Sequence, residues 1–278
     1  MKVISAVVNN PIFICIQYET LKRYMKIPYE FIVFNDAKAF PDYSNFGNAE
    51  VRGEITRTCA ALGVQCVELE NNHHRYRISA SDRTADSMNA IFAYMRRNVD
   101  TYLILDSDMF LIDDFYGYDV AYAFVKQTRD ALVYPWNGLV YMDMTRLEDA
   151  DRVDWNCGAA DTGGEMAGWL ARRDAGTIHW IKHLMSCGWT EKDLPPALAS
   201  RTALVEFVRN DVRGAYFCEI YDNKFFHYRA GGNWMKQNPE LHRELTLCLQ
   251  QVLLGAPCAA APCAAAPLYS VPRVFNRL

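Results

Sequence analysis

Two periods alternate along the first hundred residues. Residues 2–8 form a short run of apolar, largely β-branched side chains, the pattern of a strand covered on both faces. Asn10-Pro11 follows, an N-cap residue with proline at the first helical position, and Ile14, Tyr18, Leu21 and Met25 then recur at helical spacing. The pair repeats as a strand over 29–34 ending in Asn35-Asp36, a helix around 48–62 carrying Ile55, Cys59 and Leu62, and a strand over 64–69. A polar loop with His73 and His74 leads into a strongly amphipathic helix from about 82 to 98, with Met88, Ile91, Met95 and Val99 on one face. Residues 101–105 give the next buried strand, which runs straight into Asp106-Ser107-Asp108. Four such alternations predict an α/β class: a Rossmann-like domain with a central, mostly parallel mixed sheet and helices on both faces.

Beyond residue 110 the order loosens. Short strands are expected over 132–134 and 139–142 around a Pro135-Trp136-Asn137-Gly138 turn, helices over 175–185 and 200–209, and a strand over 215–220. A final helix over 239–254 places Leu241, Leu245, Leu249 and Val252 on one side, with Gly255 as its stop. No proline- or glycine-rich linker divides the chain before that point, so one domain is expected over 1–255 and an Ala/Pro-rich low-complexity tail over 256–278. Residues 245–272 carry no charge, but prolines 257, 262, 267 and 272 would break a membrane helix, so no transmembrane segment is expected.

Composition narrows the classes. With 51% hydrophobic residues in 278, the chain can bury a large core and is no disordered or fibrous protein. A net charge of -4, from 29 basic and 33 acidic residues, argues against nucleic acid as a partner while leaving room for a local basic pocket. The nine cysteines are odd in number and contain no Cys-x-x-Cys pair, which argues against a zinc ribbon or a disulfide framework. With an N-terminal apolar run too short for a signal peptide, a cytoplasmic location is expected.

The sharpest chemical feature is Leu103-Ile104-Leu105-Asp106-Ser107-Asp108. Two carboxylates one residue apart in an extended segment point the same way, and they stand at the carboxyl end of a buried strand, where ligands bind in open α/β sheets. Together they could hold a hard divalent cation whose remaining positions a diphosphate fills; a solvated turn after a strand is the plain alternative. A calcium loop is excluded, because Phe110 and Leu111 stand where a third oxygen ligand and a glycine would be needed. A haloacid-dehalogenase-type phosphatase carries its pair on the first strand, not the fourth.

This Asp-x-Asp, about 100 residues in, resembles the metal signature of GT-A-fold glycosyltransferases. The likeness extends over roughly residues 3–235 through Asn35-Asp36, Arg83 with Asp86 and Asn89, Asp161-Thr162-Gly163-Gly164, and the stretch from Phe226-His227-Tyr228 to Gly231-Gly232-Asn233-Trp234. By type the chain is similar to the small enzymes that build surface glycans in bacteria and in large algal viruses. The resemblance implies transfer of a sugar from a nucleotide diphosphate donor, a UDP-sugar first, to a glycan acceptor with Mn2+ or Mg2+. It implies Asp106, Asp108 and His227 as metal ligands and Ser107 and Gly231 beside the diphosphate. Asn9, Asn35 and Asp36 would then take the base and ribose, Arg83 the phosphates, and Asp86 and Asn89 the sugar hydroxyls. Asp161 would be the functional carboxylate at the acceptor side, ahead of Glu165. The Asp-plus-His ligand set is more similar to retaining than to inverting members.

The family's usual lysine and proline after the glycine are replaced here by Asn233-Trp234-Met235-Lys236, which leaves Arg229 or Lys236 to meet a phosphate. Ordinary roles compete at each position: turn residues for Asn9, Asn35 and Asp36, a helix-start arginine for Arg83, a cluster histidine for His227, a capping turn for Asp161. Trp136, Trp155, Trp169 and Trp189 could stack on sugars, though tryptophan is more usually core; His73, His74, His179 and His183 read as surface or helix residues. A sugar nucleotidyltransferase and a non-catalytic binding module are the rival readings; Asn9-Asn10-Pro11 lacks the glycine-rich loop of the former.

Overall fold

The computed structural model describes residues 1–38, 49–70, 72–77, 79–184, 191–194, 196–231 and 239–255. Strand β1 (Lys2–Val7) is followed by helix α1 (Pro11–Tyr24), β2 (Glu30–Asn35), α2 (Ala49–Leu62), β3 (Gln65–Glu68), a short α3 (His73–Tyr76), α4 (Ala80–Arg97) and β4 (Thr101–Asp106). The N-cap expectation is met: the Asn10 side chain accepts from Ile12 N–H, and Pro11 opens α1. The chain continues through β5 (Met109–Leu111), β6 (Tyr122–Arg129), β7 (Leu132–Asp143), α5 (Met166–Leu170), β8 (Ile178–Trp180) and β9 (His183–Leu184). It then forms α6 (Pro196–Ala199), α7 (Thr202–Arg209), β10 (Glu219–Tyr221), β11 (Phe225–His227) and α8 (Pro239–Leu254). The 256–278 tail lies outside the described residues.

The main sheet has seven strands in the order β3-β2-β1-β4-β7-β6-β8. It is mostly parallel: β3, β2, β1 and β4 run together and β8 runs with β6, while β7 is antiparallel to both neighbours. Alternation along each strand divides the core. Val3, Val33, Leu103 and Leu105 face α1 and α2, whereas Ile4, Ile32, Phe34, Tyr102 and Ile104 face Met88, Ile91 and Met95 of α4 and Trp169 of α5. A separate four-stranded antiparallel sheet, β5-β11-β10-β9, packs with α7 and α8 against the other side of α1.

Four expectations need correction. The Pro135–Gly138 segment is not a turn between two strands but lies inside the single 12-residue strand β7, where the register with β6 shifts between Phe124 and Val125. A bulge uses the same turn-forming residues while keeping the strand continuous. Within the helix expected over 175–185, the described residues 175–184 form a one-turn helix and two short strands, because pairing with β6 and β10 overrides local preference. Val99 lies past the end of α4 and is 61% exposed. His74, placed in a polar loop by the pattern, is buried against Asp36.

Candidate functional site

The carboxyl ends of β1, β2 and β4 lie side by side, since Val7 pairs with Asn35 and Ala6 with Asp106. Residues just past those ends therefore gather around one cleft. Its lining includes Asn9, Asp36, His74, Arg83, Ser87, Asp106, Ser107, Asp108, Asn137 and His227. Acidic and basic side chains thus face each other across a cavity at the place where open α/β sheets bind ligands.

Asp106 ends β4, and β5 begins three residues later in the second sheet, pairing Met109 with His227. That register sets His227 Nε2 3.1 Å from Asp108 Oδ1. Asp108 is pinned further: Gly231 N–H donates to its Oδ2 at 2.6 Å and Tyr228 N–H donates to its carbonyl at 2.8 Å. The buried Gln17 of α1 donates to the carbonyls of Asp106 and Met109 at 2.8 and 3.1 Å, and Ser107 N–H to Asp106 Oδ1 at 2.8 Å, which holds the turn between the carboxylates.

Ligand atoms of Asp106, Asp108 and His227 all lie within 4.8 Å of one another. Two carboxylate oxygens and one imidazole nitrogen suit a divalent cation such as Mn2+. The electrostatics favour one as well. Burial, and then the charge of Asp108, push the Asp106 carboxyl up to about 6, a penalty that positive charge between the two would relieve. Burial disfavours the His227 imidazolium, but the Asp108 charge and the hydrogen bonds to Asp108 and Glu219 outweigh it and carry the ring up to about 10.

Glu219 had no part in the sequence reading. Its Oε2 accepts from His227 Nδ1 at 2.8 Å and from the Tyr221 hydroxyl at 2.8 Å. A carboxylate on the far nitrogen fixes the tautomer in which Nε2 offers its lone pair to a cation. The signal was a lone acid inside the apolar run Cys218-Glu219-Ile220-Tyr221, since a buried carboxylate needs a partner. A Glu219→Gln variant is expected to bind Mn2+ about 10–100-fold more weakly, with a flatter pH dependence. In the native chain His227 holds its proton up to about 10, so affinity climbs with pH as that proton is more easily displaced. Without the Glu219 charge the proton leaves at lower pH and the climb shrinks. Calorimetric titration between about pH 6.5 and 8.5 reads both effects; native affinity with the native slope would remove Glu219 from the site.

Other sequence candidates are distributed differently. Asn9, Asp36, Arg83 and Ser107 line the cleft with the three ligands, and Gly231 touches Asp108 from behind. Asn35 is fully buried and spent on the fold: its amide donates to Arg52 O, Thr56 and Glu68, and its oxygen accepts from Ala37 N–H. Asp86 receives both guanidinium arms of Arg77, and Asn89 binds Trp155 N–H, Asp154 and Asn156. Asp161 lies in the turn before α5, where its Oδ1 accepts from Thr162 N–H at 2.8 Å and its backbone carbonyl from Gly164 N–H at 2.9 Å, and it is not part of the cleft lining.

Trp155 and Trp169 are core, while Trp136 packs 5.2 Å from the His227 ring and 5.4 Å from Tyr221. The β7 bulge also delivers Asn137 to the cleft, a residue that turn chemistry concealed. His179 bonds Asp222, and His183 stacks on Tyr221 beside Glu219. Arg229 reaches towards Glu219 at 3.8 Å; Trp189, Asn233, Trp234 and Lys236 lie outside the described residues. Among the described residues no helix is long and apolar enough to cross a membrane.

A galactosyltransferase, LgtC, solved in complex with donor and acceptor sugar analogues, is similar to this chain with a TM-score of 0.44 at 11% identity, over 88% of this chain and 95% of its own. An active-site mutant of LgtC gives 0.40 at 10% identity, over 65% and 72%. Likeness at that level carries no argument about activity. No family model and no curated protein matches the chain.

Proposed function

We propose that this protein is a metal-dependent GT-A-type glycosyltransferase that moves a sugar from a nucleotide diphosphate, with UDP-sugars the first donors to test, to a glycan acceptor. The observation that carries the reading is the convergence of Asp106, Asp108 and His227 on the floor of a cleft that Arg83 also lines. Those three residues would hold Mn2+ or Mg2+, which when bound supplies positive charge for a departing diphosphate. Arg83 would fork onto the same phosphate oxygens. Asn9 and Asp36, which also line the cleft, would meet the ribose and base, and Trp136 packs against the His227 ring. Retention of configuration is favoured, on the Asp-plus-His ligand set; the acceptor-side carboxylate is left open, since Asp161 lies outside the cleft lining and spends one carboxylate oxygen on Thr162 N–H. A sugar nucleotidyltransferase is disfavoured because β1 passes into α1 through Asn9-Asn10-Pro11 without a glycine-rich loop.

Thermal unfolding with UDP, GDP, CDP or ADP, each with Mn2+, Mg2+ or EDTA, tests the reading. Ligand at about 100 times its Kd adds about 2.7 kcal/mol of stability, a shift of several degrees. The expected result is a shift with UDP that needs the metal, together with slow hydrolysis of a UDP-sugar. A shift without any turnover would leave a nucleotide-binding module, and no shift with any diphosphate would overturn the proposal.

A further inference from the structure

A second group of ligand-type side chains lies at the end of β2. Asp36 follows that strand directly, and α3 brings His73 and His74 over it. His73 Nε2 is 3.0 Å from Asp36 Oδ1, and His74 Nε2 is 3.3 Å from Asp36 Oδ2. All three ligand atoms fall within 4.8 Å of one another. Tetrahedral zinc with bonds of about 2.0–2.1 Å has ligand–ligand edges of roughly 3.3 Å, and from the single oxygen Oδ2 the Nε2 atoms of His73 and His74 lie 3.2 and 3.3 Å away.

Two features separate this cluster from a chance meeting of polar groups. Asp36 is 2% exposed, and among the described residues its Oδ1 accepts no hydrogen bond although His73 Nε2 lies 3.0 Å away, since that nitrogen pairs with Oδ2 at 3.2 Å instead. The other oxygen is oriented from behind, as the Ser87 hydroxyl of α4 donates to Oδ2 at 2.7 Å. That is the outer support typical of a ligating carboxylate. The competing arrangement is purely hydrogen-bonded: His73 Nε2 pairs with Asp36 Oδ2 at 3.2 Å and His74 Nε2 with the Asp36 carbonyl oxygen at 2.9 Å.

We propose that Asp36, His73 and His74 form a second metal site, separate from the Asp106–Asp108–His227 group, that takes a zinc-class cation. Two imidazoles and one carboxylate are a borderline-soft set that prefers zinc or cobalt to magnesium. Asp36 and His74 line the cleft, so the fourth coordination position is supplied from the cleft, by water or by a ligand group. The cation's role is to fix α3 against the end of β2 and so shape that end of the cleft. Nothing in this assignment depends on the activity proposed above.

Cobalt(II) reports the site without any assay of turnover, since four-coordinate cobalt has intense visible bands and six-coordinate cobalt only weak ones. Full-length protein stripped with chelator is titrated with CoCl2, and then with ZnCl2 in competition. The expected result is one equivalent of intense bands, displaced by zinc, that persist in Asp108→Asn. His73→Gln and His74→Gln each retain a hydrogen-bond donor towards Asp36 but remove a ligand, and each should lose the bands and bind zinc more than about 100-fold more weakly with an unchanged far-ultraviolet spectrum. His73 is the safer of the two, its side chain being 10% exposed against 3% for His74. Absence of intense bands in the native chain, their survival in both Gln variants, or their loss in Asp108→Asn alone would each overturn the proposal.

Discussion

On the proposed function, Asp108→Asn is expected to fold normally, to lose the stabilisation by UDP with Mn2+ and to transfer sugar far more slowly. The substitution keeps size and shape at a site that is 3% exposed, so no cavity forms. The amide oxygen can still accept from Gly231 N–H, and its NH2 can donate to His227 Nε2 while Glu219 holds Nδ1. What is lost is the negative charge and with it one anionic ligand. Removing a single electrostatic element of this kind costs about 10²–10³-fold in rate. The Asp106 carboxyl should also relax towards its ordinary range, because the charge of Asp108 is part of what raises it. Retained unfolding temperature, with no further shift from UDP and Mn2+, is the predicted pattern. Native turnover in this variant would end the metal assignment.

The second large effect is expected at Gly231, through its packing against Asp108. A Cβ built there would lie 2.8 Å from Asp108 Oδ2, 2.9 Å from Asp108 Cβ and 2.9 Å from the Phe13 ring, all closer than real contacts allow. Phe13 is wholly buried and cannot retreat, so the carboxylate must move. Gly231→Ala should therefore cost about 1–3 kcal/mol of stability through overpacking. A displacement of about 1 Å at a reacting centre costs on the order of 10²-fold in rate, so transfer should fall with it although every ligand remains. Gly168→Ala serves as the control, since nothing lies within 4 Å of its added Cβ. Mn2+ affinity and activity measured on both variants decide the matter: equal, native-like values would show that the glycine contact does not position Asp108.

The first half of the fold was legible because parallel strands covered on both faces leave nearly uninterrupted apolar runs, as in β1, β2 and β4, and the half-exposed edge strand β3 also stands close to its predicted place. The later strands were harder. The two- and three-residue strands β8 and β9 are too short to show a period, and β7 carries a bulge written in turn residues. In the site, the spacing of Asp106 and Asp108 was readable from strand alternation. The meeting of Asp108 with His227 depends on the β5–β11 register, a contact across 119 residues that no local pattern encodes. Asn35, Asp86, Asn89 and Asp161 show the converse: polar residues at element ends attract a functional reading, and neighbours such as Arg52, Arg77 and Thr162 claim them first. Glu219 was marked only as a lone acid in an apolar run, and Asn137 was hidden among turn residues.

The two carboxylates of the candidate centre belong to different sheets. Asp106 is the last residue of β4 in the seven-stranded sheet, whereas Asp108 leads into β5 and faces His227 of β11 in the four-stranded one. Ser107 alone separates them. A cation shared by Asp106 and His227 would thus be a rivet between two independently hydrogen-bonded layers, and sliding of one layer over the other would be felt first as a change in coordination. The two sheets also share apolar packing there, with Leu111, Tyr221 and Phe225 in one core cluster with Val3, Val7 and Leu103, so a loaded centre would add a polar fastening to an apolar one.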